Sequence, residues 1–275
     1  MINIMYCGDE HIEQGLALSL MSVLKNVQEP VHFYLLTAKI TTKRKTFQPL
    51  NDRFVAKLNE YSRLYDHRNF VQKFDITKLF AAEAPLANIN TSFTPNCMLR
   101  LYADQVPELP DQLLYLDADV LCRQDFSAFY HQDLSTHELV GSLDHYGRWF
   151  FHRQLKGFDY INSGVLLINL KKIRATGLFE RCRVKCQKTR MFMPDQSAIN
   201  RLCHAKGITA AKYNEQHRLQ DDTVFQHFTT SFRFMPRFKI QTIKPWQVDK
   251  LHGELGIYEY DDLLTESQQF FEKIN

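Results

Sequence analysis

The sequence predicts an α/β fold with a mostly parallel central sheet, and three observations carry that prediction. Short apolar runs alternate with stretches of helical period across the first 120 or so residues, the pattern of strands covered by helices on both faces. Apolar residues make up 44 % of the 275 residues and charged ones 24 %, enough for a sizeable core. No repeat, low-complexity segment or Pro/Gly/Ser linker divides the chain, so one large domain is expected where a prior of roughly 150 residues per domain also allows two.

The elements follow in order. "INIMYC" (2–7) reads as a strand running into "GDEH". Ile12, Leu16, Leu20, Val23, Leu24 and Val27 then mark one face of a helix. "VHFYLL" (31–36) is a second strand, and a second helix is expected to carry Phe47, Leu50, Phe54 and Leu58. "NFVQKF" (69–74) is a third strand, and a helix from Thr94 to Asp104 precedes the strand "QLLYL". Further on, 138–144 and 160–170 read as strands, with a helix after the second and another starting near Asp195. Residues 205–246 show only short strands and loops. The expected organisation is a domain over 1–246 with a tail, 247–275, packing on it.

The net charge of +3, with basic residues scattered, gives no nucleic-acid footprint. No apolar run approaches the ~18–20 residues of a membrane span, and the N-terminus lacks the basic region and cleavage site of a secretory signal. Six cysteines without a framework fit free thiols in a reducing compartment, so a cytoplasmic protein is expected. Cys182, Cys186, Cys203 and His204 could be written as a zinc set, but structural zinc sites use tighter knuckles; buried thiols are the better reading.

The stretch "LLYLDADVLC" (113–122) raises the functional question. It is a buried strand until Asp117 and Asp119 interrupt it, and carboxylates are rarely buried without a partner. Ligands of open α/β sheets bind beyond the carboxyl ends of strands, and two close carboxylates repel unless a hard cation lies between them. A merely acidic turn would ordinarily use one Asp with Gly or Asn. Two enzyme classes place D-x-D at a strand end: haloacid-dehalogenase-like phosphatases, where that strand opens the catalytic domain, and metal-dependent glycosyltransferases, where it follows a nucleotide-binding half. The roughly 110 preceding residues favour the second.

Five motifs occur in sequence: "IMYCGDEHI", "RLYADQVPELPDQLLYLDADV", "YINSGVLLINLKKIR", "PDQSAIN" and "KPW". Together, from residue 3 to about 246, they resemble the family 8 glycosyltransferases. The resemblance implies a single GT-A (Rossmann-like) nucleotide-diphospho-sugar transferase domain, a UDP-sugar donor, Mn²⁺ (or Mg²⁺), and transfer with retention of anomeric configuration. It also implies roles. Asp117 and Asp119 match the metal pair, Asp117 also lying near the donor ribose. Cys7, Asp9 and His11 match the ribose and uracil contacts, though Asp9 also suits an N-cap. Ile12 stands where the family commonly stacks an aromatic on uracil. Arg100 matches an arginine directed at the donor, where it could offset diphosphate charge. Asp144, Asn162, Ser163 and Asp195 match contacts to the transferred sugar, with Gly164 allowing close backbone approach. Gln196 falls on the far face of the anomeric carbon. Lys244 matches the phosphate lysine and His227 the third metal ligand, with His217 as the alternative.

The expected activity is transfer of a hexose (galactose or glucose) from the UDP-sugar to a hydroxyl of a glycan, glycolipid or glycoprotein, of the kind used in lipopolysaccharide or cell-envelope synthesis. A lipid-linked acceptor would bring peripheral association with the inner face of the membrane. A sugar-nucleotide-binding protein without turnover and the phosphatase are the alternatives. The segment "SFRFMPRFK" (231–239) reads either as an edge strand or as a wall of the acceptor site, with Phe232, Phe234 and Phe238 among Arg233, Arg237 and Lys239.

Overall fold

A computed structural model of the chain describes residues 1–91, 94–145, 159–229, 231–233 and 239–274. Its centre is a seven-stranded sheet. The strands are β1 (Ile2–Cys7), β2 (Val31–Thr37), β5 (Phe70–Asp75), β6 (Gln112–Leu116), β8 (Leu139–Leu143), β9 (Ile161–Asn169) and β10 (Lys206–Thr209), in the spatial order β10-β8-β9-β6-β1-β2-β5. Short pairs lie outside it: β3 (Ile40–Thr41) with β4 (Thr46–Phe47), β7 (Val120–Cys122) with β11 (Phe225–His227), and β12 (Ser231–Arg233) with β13 (Lys239–Gln241).

Every pairing in the main sheet is parallel except those of β9, which runs antiparallel to both β6 and β8. This has a consequence for function. The carboxyl ends of β1, β6 and β8 share one edge, and the reversed β9 delivers its amino end, Ile161 to Gly164, to the same edge. Four separate chain segments thereby meet at the place where open sheets bind ligands.

Alternate side chains along each strand enter different cores, as the two-residue period requires. Ile4, Tyr6, Leu114, Leu116, Val165 and Leu167 join one cluster, with helix α1 (Glu13–Asn26) and helix α2 (Asp52–Tyr65). Met5, Leu113, Tyr115, Leu166 and Ile168 join the other, with the 3₁₀ helix Pro95–Gln105 and the helices Leu178–Lys188 and Pro194–Leu202.

Two helices differ from their expected form. Helix α1 is buried nearly all round, from Gly15 to Leu24: Ser19 bonds the Tyr6 hydroxyl of β1, Ser22 accepts from the Cys122 N–H of β7, and the helix Asp261–Glu272 joins the same core through Phe270. Helix α2 starts only at Asp52, capped by Asn51, whose side chain accepts from the backbone N–H of Arg53 at 2.8 Å. Pro49 bars a helix through Phe47 and Leu50, and Phe47 instead pairs with Ile40. The helices Val248–Leu255 and Asp261–Glu272 share the first core through Leu251, Tyr260, Leu263 and Phe270. Phe271 stacks on Phe54 with ring centroids 6.0 Å apart.

All six cysteines are free. Cys182 and Cys186 are fully buried and Cys203 donates to Glu138; among the described residues the zinc set is not assembled. No helix among the described residues is long and apolar enough to cross a membrane. Phe234, Arg237 and Phe238 lie outside the described residues; β12 and β13 flank them as an antiparallel pair.

Candidate metal and donor site

The loop between β6 and β7 holds Asp117 and Asp119 at the shared sheet edge. It is tied down by the Asp117 N–H, which donates to the Gly164 carbonyl at 2.8 Å. β11 pairs with β7 so that His227 stands opposite Val120, and the Phe228 N–H donates to the Asp119 carbonyl at 3.0 Å. This ribbon brings a histidine more than a hundred residues distant onto the acidic pair. Asp117, Asp119 and His227 each offer a ligand atom, and all lie within 4.8 Å of one another.

Each carboxylate divides its two oxygens. Asp117 Oδ1 accepts from Arg100 at 2.9 Å and from the Tyr115 hydroxyl at 2.6 Å. Asp119 Oδ2 accepts from Lys244, whose ammonium also donates to the Phe228 carbonyl at 3.0 Å. The remaining oxygens face the imidazole: His227 Nε2 is 3.3 Å from Asp119 Oδ1 and 3.8 Å from Asp117 Oδ2. Burial alone would push the Asp119 carboxyl up, but the opposing charge of the Lys244 ammonium leads the effects that hold it well below the usual carboxylate range. Two carboxylate oxygens and one imidazole nitrogen converging on one point form a donor set that suits a divalent cation.

Arg100 lies beneath this site rather than at its mouth. Its guanidinium is 2 % exposed and donates to the Cys97 carbonyl at 3.0 Å, the Ser163 carbonyl and Asp117, while it sits 4.0 Å over the Tyr115 ring. Each of its three nitrogens thus donates to a protein group, and the bond to Asp117 helps to fix that carboxylate. Asp195 joins the same cluster, 3.3 Å from Arg100 Nε.

Around the neighbouring strand ends the side chains form a buried polar layer. Ser163 donates its backbone N–H to Gln196 Oε1 at 2.9 Å, and its hydroxyl lies 3.2 Å from both Gln196 Oε1 and Asp195 Oδ2. Asp144 Oδ2 accepts from Asn162 Nδ2 at 2.9 Å and from Gln196 Nε2 at 3.0 Å. The motif residues from "NSG", "DQ" and "GSLD" are therefore one connected group.

At the end of β1, Asp9 caps the short turn Glu10–Ile12 and accepts from the His11 N–H at 2.8 Å. Its other oxygen accepts from Asn96 at 2.6 Å, a partner the sequence did not mark. His11 is exposed, with Nδ1 3.2 Å from Asp9. Cys7 is half-buried, and burial pushes its thiol up, so it stays protonated. Ile12 folds over Gly8. His217 is not among the clustered ligand residues: it is exposed and stacks on His145, with centroids 4.5 Å apart.

Two glycines permit these approaches. A Cβ on Gly15 of α1 would stand 2.6 Å from the Ala118 carbonyl and 2.5 Å from the Trp246 ring, so its absence lets the helix press against the D-x-D turn. A Cβ on Gly164 would lie among the ring atoms of His227, 2.7 Å from Nδ1 and 2.9 Å from Nε2.

Known proteins are similar to this chain in sequence and in fold. The chain is 27 % identical over 278 residues to the lipopolysaccharide 1,2-glucosyltransferase of Escherichia coli K12, covering 97 % of this chain and 69 % of that protein. It is 24 % identical over 220 residues to a putative glycosyltransferase of Haemophilus influenzae, covering 74 % of this chain but only 60 % of the length of that relative. Its fold is similar to that of the galactosyltransferase LgtC solved with donor and acceptor sugar analogues. There the TM-score is 0.71 at 20 % identity, over 98 % of this chain and 96 % of the other. The glycosyltransferase GlyE of Streptococcus pneumoniae gives 0.64 at 16 %, over 97 % and 63 %. The family model described as glycosyl transferase family 8 matches residues 3–248. The phosphatase alternative falls away, and the chain belongs to glycosyl transferase family 8.

Proposed function

We propose that the protein transfers a hexose, galactose or glucose, from a UDP-sugar to a hydroxyl of a glycan, glycolipid or glycoprotein, with retention and with Mn²⁺ (or Mg²⁺) held by Asp117, Asp119 and His227. The observation that carries this reading is the division of the carboxylate oxygens. Arg100, Tyr115 and Lys244 fix one oxygen of each aspartate and turn the other toward His227 Nε2. Such a metal supplies Lewis-acid neutralisation of charge growing on the UDP leaving group.

The chain's own residues do the rest. Cys7, Asp9 and His11 receive uracil and ribose beside β1. Lys244 presents its ammonium to the departing phosphate. Asp144, Asn162, Ser163 and Asp195 hold the transferred hexose, and Arg100 positions Asp117. Gln196 meets the far face of the sugar, but its carbonyl already accepts from Ser163 and an amide is a poor nucleophile. This favours attack by the acceptor on the same face as the leaving group. The relationship to a lipopolysaccharide glucosyltransferase supports an envelope-type acceptor, reached at the inner face of the membrane. The domain would span 1–246, with 247–275 as a packed tail.

UDP release from UDP-galactose and UDP-glucose, with Mn²⁺ and with or without a saccharide acceptor, tests the reading. Metal-dependent release that rises with acceptor is expected. Donor binding with no turnover in any combination would leave a sugar-nucleotide-binding protein instead. Gln196→Ala should lower kcat by about 10²-fold with KM for the donor changed by no more than about threefold. A KM effect alone would make Gln196 a plain donor contact.

A further inference from the structure

We infer that Asn214, a residue outside every motif of the sequence, is a positioning residue that holds His227 in the Nδ1–H tautomer with the Nε2 lone pair aimed at Asp117 and Asp119. This rests on the reading of those three residues as metal ligands.

The Gly164 N–H must donate, and it does so to the side-chain carbonyl of Asn162 at 2.8 Å. That fixes the Asn162 amide, whose NH₂ then faces the Asp144 carboxylate, an acceptor, at 2.9 Å. The same Asn162 oxygen is 3.0 Å from the Asn214 side chain. An oxygen can only accept there, so the Asn214 NH₂ must be the group that points at it. The Asn214 carbonyl is thereby turned toward His227 Nδ1, 3.0 Å away. A carbonyl cannot donate, so Nδ1 carries the proton. A neutral imidazole has one N–H, and Nε2 is left with its lone pair facing the two carboxylates.

Burial gives the chain of bonds its force. Asn162, Asn214 and His227 are 6 %, 1 % and 6 % exposed, so none can exchange its partner for water without uncovering a buried polar group. Asp144 and Gln196 continue the same network on the sugar side. The metal-side histidine and the sugar-side layer are thus aligned by one set of amides, with Asn162 as the junction. Partners of metal-bound histidines ordinarily act this way, orienting the ring and fixing its tautomer.

The first test reads the tautomer directly. In metal-free protein labelled with ¹⁵N-histidine, His227 is assigned by the signal lost in His227→Gln, with the pH raised until the imidazolium form is gone. A protonated Nδ1 and an unprotonated Nε2 are expected; a protonated Nε2 overturns the inference. The second test measures Mn²⁺ affinity from the free-ion EPR signal. Asn214→Leu, of similar volume but without the carbonyl, should weaken Mn²⁺ by about 10–100-fold and release the tautomer. Asn214→Asp retains an acceptor for Nδ1 and should restore the tautomer. Equal tautomer loss in both variants, or unchanged affinity in Asn214→Leu, would remove the role. Wild-type protein with Nδ1–H that binds no Mn²⁺ would instead sink the metal reading and leave the tautomer assignment standing.

Discussion

Asp119→Ala is expected to eliminate metal-dependent UDP binding and to lower transfer by at least about 10³-fold, equivalent to roughly 4 kcal/mol of leaving-group stabilisation. The side chain meets both His227 Nε2 and Lys244, so its loss removes a metal ligand and frees the phosphate lysine together. The fold should survive. Losing the Lys244 pairing that holds the Asp119 carboxyl low should cost a modest fall in Tm, offset in part by relief of repulsion from Asp117. Lys244 retains the Phe228 carbonyl. Asp117→Asn should be almost as severe for activity but should also lower Tm, because Arg100 beneath it is buried and would lose the nearer of its two carboxylate partners, keeping only Asp195. Binding and melting measured on both variants separate the two roles. Full activity in Asp119→Ala would remove the metal site from the account.

Gly164→Ala is the second large effect. The added methyl would collide with His227 Cε1 and stand 2.7 Å from Nδ1, where the Gly164 carbonyl is held by the Asp117 N–H and its own N–H by the Asn162 side chain. The imidazole must leave its place between Asn214 and the aspartates. Mn²⁺ affinity should fall by roughly 100-fold or more, and overpacking should cost about 1–3 kcal/mol. Adding His227→Ala to Gly164→Ala should recover the Tm without recovering metal binding, since the clashing ring is gone. A double variant no more stable than Gly164→Ala would show that the methyl conflicts with something other than His227.

Only the acids ending an apolar strand stood out from the local pattern; "NSG" and "DQ", which alone could be turn or cap residues, entered through the family resemblance, and the sheet topology gathers all three. The supporting residues break no rule. Tyr115 alternates correctly with its strand neighbours and reads as core, yet its hydroxyl holds Asp117. Arg100 carries no signal that it is buried rather than presented to the donor. Asn214 sits in a stretch without helical period and Asn96 near the start of the expected 94–104 helix, and they meet partners 52 and 87 residues away, respectively. Such contacts follow from tertiary packing, which local sequence does not encode. The antiparallel course of β9 was equally hidden, because a strand buried on both faces looks the same in either direction. Helix α1 is buried nearly all round where its sequence predicted one apolar stripe, because Ser19 and Ser22 find partners on β1 and β7.

Calorimetric titration of UDP into metal-free protein, repeated with Mn²⁺ and again after EDTA, tests the central claim most directly. The account predicts strong binding with Mn²⁺, loss of most of that affinity after EDTA, and the same loss in Asp119→Ala without EDTA. Equal UDP affinity in all of these conditions would contradict it, since the Asp117–Asp119–His227 cluster would then have no part in holding the donor.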